Sequence, residues 1–174
     1  MDILWICGMI FHVTKPSNTN GFVTWNGMSL SKQESEFLAL LSAQGRSIFT
    51  FQDAHKFWGT PEAATNSLGR LVRKRWLFRL ENGLYMIIPL EAGPEREWSE
   101  NALIIASHLV SPGAVAYWSA MRFWNMTEQL PHVQFIQTTK RKRSISIQGI
   151  SYRFITVSEK RFFGLVSRQI EGQS

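Results

Sequence analysis

The chain has 174 residues, of which 44% are hydrophobic and 18% are charged. This composition is typical of a globular protein with one large or two small domains, and it excludes a chain that is disordered throughout. The net charge is +6, which favours an acidic polymer as partner. Much of the positive charge lies in two short windows, formed by Arg70, Arg73, Lys74, Arg75 and Arg79 and by Lys140, Arg141, Lys142 and Arg143.

Few residue types suited to catalysis or metal binding occur in useful patterns. The single cysteine, Cys7, excludes an internal disulfide and any site made of several cysteines. The histidines lack the spacing of a zinc site and are interpreted as packing or surface residues; they are His12, His55, His108 and His132. Paired carboxylates, a Gly-rich phosphate loop and a Ser/His/Asp set are also missing from the sequence. We therefore expect no enzyme, no cofactor and no metal.

The first 27 residues are expected to lie outside the fold. The apolar run 3–11 is too short to span a bilayer, and Asp2 stands where a signal peptide has basic residues. A turn-rich run follows at 16–21, and Met28 directly precedes the first helical pattern. We interpret residues 1–27 as a disordered extension or the product of an upstream start. The expected location is the cytoplasm, with no membrane partner.

Two helices are predicted before residue 60. The first covers residues 31–43 and ends before Gly45. Its buried face is formed by Glu34, Phe37, Leu38 and Leu41. The second covers residues 50–58, with Thr50 as N-cap, Asp53 in a capping-box position and Gly59 as its end. The short Gly-containing turn that follows is typical of a helix-turn-helix.

A third helix is predicted from Thr60, an N-cap residue, and Pro61, which suits a first helical turn. One face is apolar and consists of Ala64, Leu68, Leu71 and Val72. The opposite face carries Asn66, Arg70 and Arg73, with Lys74 at its edge. In a DNA major groove, Arg binds guanine and Asn binds adenine through paired hydrogen bonds. The helix therefore has the side chains of a recognition helix, although an ordinary solvated basic face remains the alternative.

The runs 76–80 and 84–88 are rich in β-forming residues, and Asn82-Gly83 between them indicates a hairpin. Three helices followed by a hairpin predict a winged helix-turn-helix over residues 28–90. Arg79 lies near the hairpin tip, within reach of phosphate or the minor groove. We predict that Lys74, Arg75 and Arg79 position the DNA backbone, with Ser67 as a lesser candidate for base contact.

Residues 91–98 form a polar stretch with Gly and Pro and are predicted to be a linker. After it, a helix capped by Ser99 is expected to run to about residue 110, and a second helix to cover 114–124. Val115, Trp118 and Met121 are expected to face inward. The aromatic residues Trp118, Phe123 and Trp124 could stack on bases, but helical spacing favours packing.

Three strands are predicted after the second helix, over residues 133–138, 144–148 and 150–157, with a tight turn at Gln148-Gly149. The predicted fold class is therefore α+β: a winged helix followed by a smaller domain, 99–174, with two helices and a short antiparallel sheet. The basic run Lys140-Arg141-Lys142-Arg143 lies at a strand end. It is either a solvated turn or a second phosphate-binding patch.

Several runs carry a resemblance to a known family. Residues 116–121 read AYWSAM and 126–131 read MTEQLP; further matches are FIQTT at 135–139 before the basic run, GISYRF at 149–154 and KRFFG at 160–164. Over about residues 29–170 the chain resembles the AbiEi-type antitoxins of type IV toxin–antitoxin systems. It departs from that pattern at Asn125, where many relatives have Gly. Relatives also continue beyond the last run, so we expect the C-terminal domain here to be incomplete.

The resemblance implies a winged helix that binds the promoter of its own operon and a C-terminal domain with antitoxin activity. The implied functional partner is a nucleotidyltransferase-like toxin, which the antitoxin counters without necessarily forming a stable complex. Repressors of this kind occupy repeated half-sites, so a dimer on DNA is expected. The alternatives are a winged-helix regulator or interaction module without antitoxin activity, and a truncated inactive remnant.

Overall fold

The computed structural model describes residues 29–93, 98–128, 132–168 and 170. Over these residues the protein is a mixed α+β structure with five α-helices and two β-sheets. The extension predicted over residues 1–27 lies outside the described residues, as do residues 94–97 of the predicted linker. The rest of that linker includes a short 3-10 helix, Leu90–Ala92.

The N-terminal region contains three helices and a three-stranded sheet. Its elements are α1 (Lys32–Ala43), β1 (Ile48–Thr50), α2 (Phe51–Trp58), α3 (Pro61–Arg73), β2 (Leu77–Glu81) and β3 (Leu84–Ile87). The predicted N-caps are confirmed, since the Thr50 and Thr60 side chains accept hydrogen bonds from the third residues of their helices. Strand β1 was not predicted; it pairs antiparallel with β3 and gives the order β1-β3-β2.

Two glycines make the turns that position α3 and the hairpin. Gly59 ends α2 with φ +80°, a left-handed conformation that glycine adopts without steric cost. Gly83 has φ +77° at the hairpin turn, and its carbonyl accepts a hydrogen bond of 2.8 Å from the N–H of Phe51. The hairpin turn is therefore fixed to the first turn of α2.

One core cluster holds the three N-terminal helices together. Phe37 lies at its centre, with its ring 5.2 Å from that of Phe49 and 4.4 Å from that of Trp58. The other buried members are Leu38, Leu41, Ala54, Ala64, Leu68, Leu71 and Leu77. The predicted inner faces of α1 and α3 are thus confirmed, except that Val72 is only half-buried.

The C-terminal region follows a different element order from the predicted one. Its elements are α4 (Ala102–His108), β4 (Gly113–Val115), α5 (Tyr117–Phe123), β5 (Val133–Thr138), β6 (Ile145–Ile147) and β7 (Ile150–Thr156). The cap of α4 is Asn101 rather than Ser99, because the Asn101 side chain accepts from the N–H of Leu103 at 3.0 Å. The predicted start of the next helix at residue 114 is wrong, since residues 113–115 pair with β5 as a strand.

The second sheet is mixed, with the order β4-β5-β7-β6, and not purely antiparallel as predicted. The chain reverses after β5 and again at Gln148-Gly149, so β7 regains the direction of β5. It then pairs parallel with β5 and antiparallel with β6. The parallel pair arises because β7 rather than β6 lies next to β5. Turn signals in the sequence do not specify the order of strands in the sheet.

The predicted inward packing of α5 is wrong for most of its residues. Trp118 is 47% exposed and Met121 is 39% exposed, and Ser119 is the buried residue of the helix. Phe123 and Trp124 are also exposed. The Ser119 hydroxyl accepts a 2.9 Å hydrogen bond from the N–H of Phe135, so a polar contact fixes α5 to β5.

A second core cluster joins the two regions. Ile48 and Met86 of the first sheet pack in the same cluster as Ile105 of α4 and Tyr152 of β7. The first sheet is therefore covered on both faces, by its own helices on one and by the C-terminal region on the other. This contact fixes the hairpin relative to the second sheet.

Candidate nucleic-acid interface

Helix α3 has a buried side and an exposed side, as its sequence pattern predicts. Ala64, Leu68 and Leu71 are no more than 1% exposed. The exposed side includes Thr65, Asn66, Gly69, Arg70 and Arg73. Because the buried side packs on α1 and α2, the exposed side is displayed on a rigid support.

The buried carboxylate of Glu34 on α1 connects α1 to α3. Its Oε1 accepts from Arg70 Nε at 2.9 Å, and its Oε2 accepts from Lys74 Nζ at 3.1 Å. Oε2 also accepts from the N–H of Ser31 at 2.9 Å, which completes a capping box at the start of α1. Lys74 Nζ additionally donates to the carbonyl of Ser29 at 2.7 Å. Arg70 of α3 and Lys74, which directly follows α3, thus neutralise one carboxylate that is 1% exposed.

The surroundings of Glu34 keep it ionised. Burial raises its pKa, but the Ser31 N–H and the side chains of Arg70 and Lys74 outweigh burial. Together they lower the pKa from 4.5 to about 2. The carboxylate is therefore charged at neutral pH, and its negative charge cancels part of the positive charge predicted for the DNA-binding face.

Three of the predicted contact residues take part in this arrangement. Ser67 is buried at 3% exposure, and its hydroxyl accepts from Arg70 Nη2 at 2.9 Å. The Ser67 hydroxyl therefore faces Arg70 rather than solvent, and its predicted base contact finds no support in this arrangement. The Arg70 side chain remains 44% exposed and Lys74 24% exposed, but both are oriented by Glu34. Their main described contacts brace α3 against α1.

Asn66 and Arg73 remain as the exposed candidates on α3 that do not pair with Glu34. Among the described residues, neither side chain has a hydrogen bond or ion pair to another side chain. They are seven positions apart in sequence and therefore lie nearly two turns apart on the same side of the helix. Their separation along the helix axis is about 10 Å, at 1.5 Å per residue.

The remaining predicted backbone contacts lie beyond α3. Arg75 is exposed and has φ +56° in the turn before β2. Arg79 is exposed on β2, and its Nη2 donates to Asn82 Oδ1 at 2.6 Å. The guanidinium of Arg79 is thus directed to the hairpin turn, where the sequence places it.

The second basic run does not act as one surface. Lys142 Nζ donates to Glu81 Oε1 at 2.7 Å and to the Leu109 carbonyl, and lies 5.2 Å from the ring centroid of Phe154. Lys142 therefore connects the hairpin to the C-terminal region rather than facing solvent. Lys140 Nζ donates to the carbonyl of Ser111, whereas Arg141 and Arg143 are exposed. Of the four residues predicted as a phosphate-binding patch, Lys140, Arg141 and Arg143 are exposed and Lys142 is not.

Sequence reasoning missed the role of Glu34 and the composition of the exposed face. Glu34 was placed on the buried face of α1 without a partner for its charge. A carboxylate on an apolar face is itself a signal, because a buried charge requires a counter-ion. The exposed face of α3 also includes Thr65 and Gly69, which the charge pattern alone does not reveal.

Among the residues that the structure describes, no group of three or more His, Cys, Asp or Glu residues could hold a metal ion. No described helix is long and apolar enough to cross a membrane. A groove of about 480 Å³ lies between α4, α5 and residues 164–168 and 170. It is lined mainly by apolar side chains, and its polar members include Ser107 and His108, whose Oγ and Nδ1 atoms lie 3.1 Å apart.

No family model matches the chain, and no curated protein matches it.

Proposed function

We propose that residues 29–90 form a winged helix that binds duplex DNA through the exposed side of α3. The observation that carries this proposal is that Asn66 and Arg73 face outward on a helix whose other side is packed in the core and whose position is held by the ion pair of Arg70 with Glu34. An amide and a guanidinium on one rigid helix face are the side chains that read adenine and guanine in a major groove. The order of three helices followed by a hairpin supports the same function.

In this proposal Asn66 and the basic residues have separate roles. Asn66 and Arg73 read base edges, while Arg75 and Arg79 bind phosphates on either side. Arg70 and Lys74 hold α3 at the correct angle through Glu34, and Arg70 keeps enough exposure to contact a phosphate. Phosphate contacts position a protein on DNA, and base contacts specify the sequence.

The biological role that we propose is autorepression of a type IV toxin–antitoxin operon by its antitoxin, acting in the cytoplasm. This part rests on the resemblance to the AbiEi-type antitoxins. The operator would consist of repeated half-sites upstream of the gene, occupied by a dimer. The counterpart would be a nucleotidyltransferase-like toxin encoded by an adjacent gene.

The DNA-binding proposal is tested by Arg73→Ala, with fluorescence anisotropy on the promoter duplex and on a scrambled duplex. Loss of one base-reading Arg corresponds to about 1–3 kcal/mol of discrimination, or roughly 5- to 150-fold. We expect Arg73→Ala to weaken promoter binding by about tenfold or more and to reduce the preference over the scrambled duplex. The matched control is Lys32→Ala, which removes a cation that is 90% exposed at the start of α1.

Two results would contradict this assignment. If Arg73→Ala and Asn66→Ala both bind the promoter as tightly as the wild type, α3 does not read the groove. If the wild type binds both duplexes equally and without salt dependence, the protein is not a sequence-specific DNA-binding protein. An interaction module or an inactive remnant then becomes the better interpretation.

The antitoxin role is tested separately, by co-expression with the toxin of the adjacent gene. We expect the wild-type chain to restore growth. Arg73→Ala should also restore growth when expressed from a foreign promoter, because neutralisation is proposed to depend on the C-terminal region. Failure of both proteins to restore growth would leave a transcriptional regulator without antitoxin activity.

A further inference from the structure

Gly69 lies near the middle of α3, on its exposed side. A Cβ atom built at this position meets no heavy atom within 4 Å, and the backbone there is ordinary helix rather than left-handed. Neither crowding nor backbone conformation among the described residues therefore requires glycine at residue 69.

A glycine in the middle of a helix is costly. It destabilises a helix by about 0.5–1 kcal/mol relative to alanine, because the unfolded chain loses more conformational freedom on folding. Residue 69 could therefore be alanine with a gain in stability. A role outside the folded monomer explains why the smallest residue occupies this position.

The neighbours of Gly69 indicate what that role is. Helical spacing places Thr65 and Asn66 one turn before Gly69, and Arg73 one turn after it. All three are exposed. Gly69 thus forms a shallow depression between the two proposed base-reading side chains, at the centre of the face they define.

We propose that Gly69 is the point of closest approach between α3 and the floor of the DNA major groove. This inference rests on the proposed function. Without a side chain at residue 69, the helix backbone lies deep enough for Asn66 and Arg73 to reach base edges together. Gly69 is therefore a specificity-determining residue, although it donates no side-chain hydrogen bond.

The physical consequence of adding a methyl group follows from hydrogen-bond geometry. Paired hydrogen bonds to bases require donor–acceptor distances of about 2.7–3.2 Å and weaken steeply when they are displaced or misaligned. A methyl group at residue 69 would lift α3 from the groove floor and lengthen the contacts of Asn66 and Arg73. Phosphate contacts through flexible side chains would adapt to this shift. The affinity for the specific sequence would therefore fall, while non-specific affinity would change little.

The test compares Gly69→Ala with Ser35→Ala. Ser35 is an exposed residue of α1, and its replacement by alanine also favours the helix without altering the α3 face. Both variants are expected to melt at a higher temperature than the wild type. Gly69→Ala should bind the promoter duplex about tenfold more weakly, with binding to a scrambled duplex nearly unchanged. Ser35→Ala should bind both duplexes as the wild type does.

The outcomes separate this inference from the function on which it rests. If the wild type prefers its promoter and Gly69→Ala binds it as tightly as Ser35→Ala does, the inference is wrong and the proposed function stands. If the wild type shows no preference for the promoter, the proposed function and the inference fail together. A lower melting temperature for Gly69→Ala than for the wild type would also overturn the inference, since the space around residue 69 would then not be open.

Discussion

The N-terminal and C-terminal regions differ in how completely they bury the apolar side chains of their helices. In the N-terminal region, the apolar sides of α1 and α3 are buried in one cluster, and the buried charge of Glu34 is matched by two cations. In the C-terminal region, α5 buries Ser119 while Trp118 and Trp124 remain about half exposed. Helical periodicity in the sequence identifies a helix in both cases, but burial of the apolar face depends on what lies opposite.

The largest expected effect that tests this comparison comes from truncating an aromatic residue in each region. Phe37→Ala removes a ring that is 1% exposed and should lower the free energy of unfolding by about 3–5 kcal/mol. Trp118→Ala removes a larger ring that is 47% exposed and should change the stability by less than about 1 kcal/mol. Urea denaturation measures both. Equal losses would show that the two regions do not differ in the way described.

A somewhat smaller effect is expected for Glu34→Gln. This change removes the counter-charge of Arg70 and Lys74 and weakens the capping box of α1. Breaking one partner of a buried ion pair costs about 3–5 kcal/mol, and because Arg70 and Lys74 can turn to solvent we expect about 3 kcal/mol. The control is Glu36→Gln, whose exposed pair with Lys32 at 3.9 Å should contribute little. If the two variants are equally stable, the bracing role of Glu34 is wrong.

The smallest of these effects is a dependence of stability on pH. The pKa of Glu34 is lower in the folded protein, at about 2, than its ordinary value of 4.5. Its contribution is therefore present above pH 4.5 and is lost as the pH falls toward 2. Between pH 6 and pH 3 this group should account for a loss of about 2 kcal/mol.

The pH profile is measured by urea denaturation of the wild type and Glu34→Gln. Asp53 also has a lowered pKa; burial raises it, but Arg46 and Thr50 outweigh burial. Both proteins should therefore lose stability in acid, and the wild type should lose more. Parallel profiles would show that folding does not lower the pKa of Glu34.

Most of the N-terminal elements could be predicted from sequence because their signals are local. Thr50 and Thr60 cap helices by bonding to residues three positions ahead, and Gly59 and Gly83 adopt conformations that few other residues tolerate. Strand β1 was missed because it has only three residues and is a strand only through its hydrogen bonds to β3. In the C-terminal region, β4 was taken for helix for the same reason.

The candidate site could be predicted only in part. Asn66 and Arg73 were found because helical spacing alone puts them on the side opposite Leu68 and Leu71. The partners of three cations could not be found from the sequence because they are distant in the chain. Glu34 lies 36 residues from Arg70 and 40 residues from Lys74, and Glu81 lies 61 residues from Lys142. Charge counts in a sequence window do not show which charges are already paired.

Local signals in the sequence specify where the N-terminal helices begin and end and which side of α3 is apolar, because caps, turns and periodicity act over a few residues. Only the folded structure specifies which cations remain available, which strands run parallel and which apolar residues stay exposed. Those properties depend on contacts between distant segments, and the energies of such contacts are set by what the fold brings together rather than by neighbours in the chain.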